Sequence, residues 1–158
     1  MSARLPSLMV ELKEGVIDLG WGHPSPRLHP LEAIREAADR LFSRDDTEPL
    51  QYGATQGYGP YLEALAEFLS RQVCYGMSVD PRSLLLTAGA SQGLDLACTL
   101  LTREGDTALV EEPTYFVIEG IFEAHHLDVR YVPTDEDGLD VDALEEMLSG
   151  GLTPSFVY

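Results

Sequence analysis

Apolar side chains recur every three or four residues at Leu31, Ile34, Ala38, Leu41 and Phe42, which predicts an amphipathic helix over about 30–43. Pro30 suits its first turn, where a missing N–H costs nothing. The same period returns at Leu62, Leu65, Phe68 and Leu69, predicting a second helix over 60–73 with these four side chains inward. Beyond Asp80-Pro81 the pattern changes. Leu84-Leu85-Leu86-Thr87 and the run at 107–110 are short and apolar, as expected of strands covered on both faces, and Val129-Arg130-Tyr131-Val132 reads as a third strand. Between and beyond them, 91–101, 114–124 and 140–148 carry apolar residues at helical spacing. Val117, Ile118, Ile121 and Phe122 lie on one side of the second of these helices, and Asp140 stands as N-cap of the third. Strand and helix alternate throughout, which predicts an α/β fold: the first part of an open, parallel-type sheet with flanking helices. The apolar run Phe156-Val157-Tyr158 begins a fourth strand with nothing after it, as expected of a sheet interrupted rather than completed.

Two stretches resist regular structure. Residues 1–29 are irregular and include Gly20-Trp21-Gly22-His23-Pro24-Ser25-Pro26, too rich in glycine and proline for a helix. Residues 44–60 form a long polar connection containing Gln51-Tyr52-Gly53 and Gly57-Tyr58-Gly59. Loops of that length within a domain are typically functional. The chain is expected to divide into an N-terminal arm with its helix, 1–45, and the sheet-forming part, 46–158.

Composition narrows the function. Acidic residues number 27 against 10 basic ones, a net charge of −17, in a chain with 44% hydrophobic residues. Such a field repels phosphate backbones and anionic membranes, so neither a nucleic acid nor a membrane is an expected partner. No apolar run reaches the ~18 residues of a membrane span, and the first fifteen residues lack a secretory apolar core. A soluble, cytoplasmic protein is expected. Cys74 and Cys98 have neither disulfide-framework nor metal-pair spacing. The pair His125-His126 has no metal partner in view and reads as a solvated helix end. Lys13 is the only lysine.

Ligands of parallel sheets collect where strands end and helices begin. Thr87-Ala88-Gly89-Ala90-Ser91-Gln92-Gly93 is such a place: Gly89 permits a tight turn, and small residues open a helix whose free amides, with the Ser91 hydroxyl, suit an anion. A glycine-rich turn of this kind also serves packing alone. Glu111-Glu112-Pro113-Thr114-Tyr115 sets Tyr115 at the same rim, where its ring either lies on a planar ligand or packs on its own helix. The Walker pattern is absent, since no lysine follows a glycine. A short-chain dehydrogenase turn is also excluded. Ala88 is an extra residue, Asp95 stands where a third glycine belongs, and the Tyr-x-x-x-Lys pair is missing.

Taken in order, these segments resemble the class I/II aminotransferases, fold-type I enzymes dependent on pyridoxal 5′-phosphate. The likeness is greatest to the branch of aminoadipate and kynurenine aminotransferases and the aminotransferase-like domains of bacterial regulators. It rests on Leu50-Gln51-Tyr52-Gly53 with Gly57, on residues 87–96, and on Arg103-Glu104-Gly105-Asp106. Glu111-Glu112-Pro113-Thr114-Tyr115 and Asp135-Glu136-Asp137-Gly138-Leu139 complete it. The resemblance implies that Ala90, Ser91 and Gln92 hold the cofactor phosphate and that Tyr115 stacks on the pyridine ring. It implies that Tyr52 reaches across a dimer interface to the neighbour's phosphate, and that Gly22 lies near the substrate carboxylate, with Trp21 and His23 beside it. It further implies amino acid and 2-oxo acid substrates. The family's Asn-Pro-x-Gly motif, ring-pairing aspartate, catalytic lysine and carboxylate-gripping arginine match nothing here, and Lys13 lies outside any matching motif. The expectation is therefore an N-terminal fragment with a partial cofactor site, not catalytically competent alone. The alternative is a non-catalytic module that pairs with a full-length relative.

Overall fold

A computed structural model describes residues 15–17, 24–72, 74 and 76–158. It divides into two compact units, Met1–Tyr52 and Gly53–Tyr158. The first contains helix α1, Leu31–Phe42, close to the predicted range. Arg40 and Glu36, one turn apart, pair at 3.7 Å along its exposed side.

The second unit opens with helix α2, Gly59–Ser70, whose first turn holds Pro60. Leu62 and Ala66 are buried, with Leu65 and Leu69 half-buried beside them. Phe68 does not join them: it is 59% exposed. Four residues separate Leu62 from Ala66 and three separate Ala66 from Leu69, which keeps that stripe narrow; Phe68 falls about a third of a turn away from it. The Ser70 hydroxyl closes the end of α2 by donating to the Ala66 carbonyl at 2.6 Å and accepting from the Val79 amide at 2.8 Å.

The run 84–87 is not a strand. Its backbone is extended at Leu84, but its hydrogen bonds go to a loop: the Leu86 amide donates to the Gln56 carbonyl at 2.8 Å. The Gln56 side chain donates in turn to the Arg82 carbonyl at 2.9 Å. Leu85 and Leu86 are 56% and 49% exposed. An apolar extended segment becomes a strand only beside another with matching free amides and carbonyls, and no described residue offers them.

The sheet is built from β1, Thr107–Glu112, β2, Asp128–Pro133, and β3, Phe156–Val157. Their order is β2-β1-β3 and both pairings are parallel, with Val110 opposite Tyr131 and Leu109 opposite Val157. Ala108, Leu109 and Val110 in the central strand are fully buried. Successive strand residues point to opposite faces, so β1 is covered on both. Helices α3, Gly89–Leu101, α4, Val117–Ala124, and α5, Val141–Ser149, alternate with the strands. Cys98 of α3, Val110 of β1 and Ile118 and Phe122 of α4 form one core cluster.

Asp106 ties the strand origins together. Its carboxylate accepts from the Arg103 amide and from the Ser155 hydroxyl, each at 2.9 Å, and its carbonyl accepts from the Asp128 amide at 2.9 Å. Asp140 caps α5 as predicted, accepting from the Ala143 amide at 2.9 Å. Among the described residues no helix is long and apolar enough to cross a membrane.

Candidate functional site

Connectivity brings the two candidate loops to one rim. The link from α3 to β1 is short, 102–106, so α3 runs back along β1 and its amino end lies toward the end of that strand. Helix α4 starts at the same rim, after residues 113–116. This is the edge of a parallel sheet where helix amino ends converge.

The first loop is shaped by Gly89, whose φ of +82° is a left-handed conformation. A Cβ added there would touch nothing, so backbone geometry, not crowding, selects glycine. The Thr87 hydroxyl donates to the Gly89 carbonyl at 3.0 Å. The Gln92 side-chain oxygen reaches back to accept from the Ala88 amide at 2.5 Å. That commits the oxygen of Gln92 to the turn and leaves its NH2 group as the donor it can offer. Helix α3 has no side-chain cap, because Ala88 occupies the capping position. The first-turn amides of Ala90 and Ser91 have no intrahelical acceptor. Two amides, a hydroxyl and a carboxamide NH2 thus make a donor set that fits a phosphate.

The second loop leaves Tyr115 58% exposed, its ring centroid 5.2 Å from that of Phe116. Helix α4 begins three residues later than its apolar spacing predicts, with the Ile118 amide bonded to the Tyr115 carbonyl at 3.2 Å. The Thr114 hydroxyl is buried and has no hydrogen-bond partner. Burying a lone hydroxyl costs roughly 1–3 kcal/mol, so Thr114→Val is expected to raise stability by about 1 kcal/mol. A thermal or urea melt checks this, and an unchanged or lowered midpoint would show that the hydroxyl has a stabilising role.

Tyr52 belongs to the first unit and is exposed there. Gly22, Trp21, His23 and Lys13 lie outside the described residues. Two features around the core escaped the sequence. Asp95 on α3 bonds His125 at the end of α4, Oδ1 to Nε2, at 2.8 Å, so His125 is not merely a solvated helix end. Thirty positions separate the two residues, and no periodicity signals such a pair. Tyr131 on β2 donates its hydroxyl to Glu119 on α4 at 3.0 Å, and the carboxylate holds the phenol above its usual range. Burial pushes the Cys98 thiol up, and the charge of Asp95 adds to it. Cys74 is exposed, and both cysteines are free. No cluster suited to a metal ion occurs among the described residues.

In this α/β chain one sheet rim thus carries an uncapped, glycine-led helix amino end and an exposed aromatic ring. The model of the aminotransferase class I and II family matches residues 9–154, and the chain belongs to that family. It is 34% identical over 151 residues to the 2-aminoadipate transaminase of Thermus thermophilus, covering 96% of this chain and 36% of that protein. It is 34% identical over 133 residues to aromatic-amino-acid aminotransferase 1 of Thermococcus litoralis, covering 84% of this chain and 31% of the relative. The chain therefore spans about a third of the length of these curated relatives. Among solved structures it resembles the α-aminoadipate aminotransferase of Thermus thermophilus complexed with N-(5′-phosphopyridoxyl)-L-leucine. That likeness has a TM-score of 0.74 at 36% identity and covers 87% of this chain and 33% of the other. The family membership agrees with the resemblance on which the α/β, fold-type I expectation was built.

Proposed function

We propose that this chain forms part of a pyridoxal phosphate site in an aminotransferase that moves an amino group between an amino acid and a 2-oxo acid. The observation that carries the reading is the amino end of α3, with free amides at Ala90 and Ser91, the Ser91 hydroxyl and the Gln92 NH2. In this reading those groups hold the phosphate, and Tyr115 lies against the ring. Tyr52 reaches the phosphate of a second copy or of a longer relative, and Gly22 meets the substrate carboxylate. When bound, pyridoxal phosphate supplies the electron-withdrawing ring on which amino-group transfer depends. The residues of this chain bind and orient it. With Lys13 as its only lysine, and that one outside any family motif, the chain holds the cofactor reversibly and does not turn over alone.

The test is a spectroscopic titration of the purified chain with pyridoxal phosphate and with pyridoxal. The phosphorylated form is expected to bind at least tenfold tighter. Ser91→Ala, which removes a hydrogen bond to a charged group, is expected to weaken pyridoxal phosphate by about tenfold. Tyr115→Ala is expected to weaken both ligands alike, because the ring they share loses its stacking partner. Equal affinity for the two ligands in the wild type would sink the assignment of the turn.

A further inference from the structure

The contact between Asp95 and His125 joins the helix that carries the phosphate turn to the helix that follows Tyr115. Asp95 lies four residues after Ser91, which places the two on one face of α3, about 6 Å apart along the axis. A carboxylate one turn below an anion-binding helix end is unfavourable, because two negative charges at such separation repel. On a chain of net charge −17, such a site gains from local neutralisation. His125 answers that carboxylate directly. Its Nε2 lies 2.8 Å from Asp95 Oδ1, with the imidazole side chain 22% exposed and the carboxylate 56% exposed. His125 also terminates α4, its amide bonded to the Ile121 carbonyl at 3.2 Å, which fixes the imidazole beside α3.

We propose that His125 is a positioning residue of the phosphate turn: its Nε2–H donates to the Asp95 carboxylate, draws it toward α4 and offsets part of its charge through that hydrogen bond, so that α3 presents its amino end to a phosphate with the competing anion beneath it held aside. This rests on the reading of that turn as the phosphate holder. His125 touches no ligand in this account. It acts only through Asp95, and its effect is specific to ligands that carry the anion.

The test compares wild type, His125→Gln, Asp95→Asn and the double variant, each titrated with pyridoxal phosphate, pyridoxal and inorganic phosphate. His125→Gln is expected to lower the preference for pyridoxal phosphate over pyridoxal by roughly three- to tenfold, and to weaken inorganic phosphate to match. Pyridoxal affinity stays unchanged. Asp95→Asn preserves or raises the preference, and the double variant returns to the Asp95→Asn level, because His125 has nothing left to offset. A merely structural bridge would leave the double variant as weak as His125→Gln and would shift all ligands together; either result overturns the proposal. So does an unchanged preference in His125→Gln. A wild type that does not distinguish pyridoxal phosphate from pyridoxal instead removes the underlying reading, and the proposal with it.

Discussion

Replacing Phe122 by alanine is expected to destabilise the second unit by about 3–5 kcal/mol, a large share of the roughly 5–15 kcal/mol that holds a typical domain folded. Phe122 is the largest fully buried side chain among the described residues and belongs to the core cluster with Cys98, Val110 and Ile118. Its ring lies 5.4 Å from that of Phe156 at 57° and 6.1 Å from that of Tyr158 at 80°, both tilted geometries that aromatic pairs favour. Truncation leaves a cavity between α3, α4 and β1 and removes the surface on which short β3 packs. Phe122→Leu, which keeps most of the volume, is expected to cost less than half as much. Urea denaturation measures both. A midpoint for Phe122→Ala indistinguishable from the wild type would mean that α4 does not cover the sheet as described.

Gly57→Ala is expected to cost about 2–4 kcal/mol, from two sources that can be separated. Its φ of +128° is a conformation that residues with a Cβ rarely adopt, worth about 1–3 kcal/mol of strain. The added Cβ would also lie 2.8 Å from Leu86 Cβ, and overpacking of that kind costs about 1–3 kcal/mol. The neighbouring hydrogen bond from the Leu86 amide to the Gln56 carbonyl holds the two segments together, so the backbone cannot simply withdraw. Removing the opposing Cβ with Leu86→Gly should relieve the crowding and leave the strain at position 57. The double variant is therefore expected to lose less than the sum of the two single changes, and strict additivity would mean that the clash is absorbed elsewhere. Gly89→Ala is the control: its added Cβ meets nothing, so conformational strain alone remains, about 1–2 kcal/mol.

The readings that survived share one property: they depend on neighbours within a few positions. Helical spacing located α1, α2, α3 and α5 to within two or three residues at each end, and the Asp140 cap was legible because its partner, Ala143, is three residues away. Strand β1 is legible as an apolar run because both faces of a central parallel strand are covered, whereas β2 lies at the sheet edge and is mostly exposed. The glycine-led turn that opens α3 is legible from local sequence too, since Gly89, Ala90, Ser91 and Gln92 are consecutive.

The misreadings came from contacts that no local pattern encodes. Leu84, Leu85 and Leu86 have strand-like composition, yet strand formation needs a partner, and their hydrogen bonds go instead to Gln56. Helical spacing groups Phe68 with Leu62, Leu65 and Leu69, whereas packing selects the narrower stripe around Leu62 and Ala66.

By itself, then, the sequence determined the class of fold, the order of its elements and the turn that opens α3, because these follow from side-chain period, backbone permissiveness and runs of adjacent residues. Tertiary structure alone decided which apolar run became a strand, which side of α2 was buried, that the Thr114 hydroxyl is left without a partner, and that His125 meets Asp95 across thirty positions. Those outcomes depend on which surfaces meet once the chain has folded back on itself, and a pattern read along the chain carries no term for that.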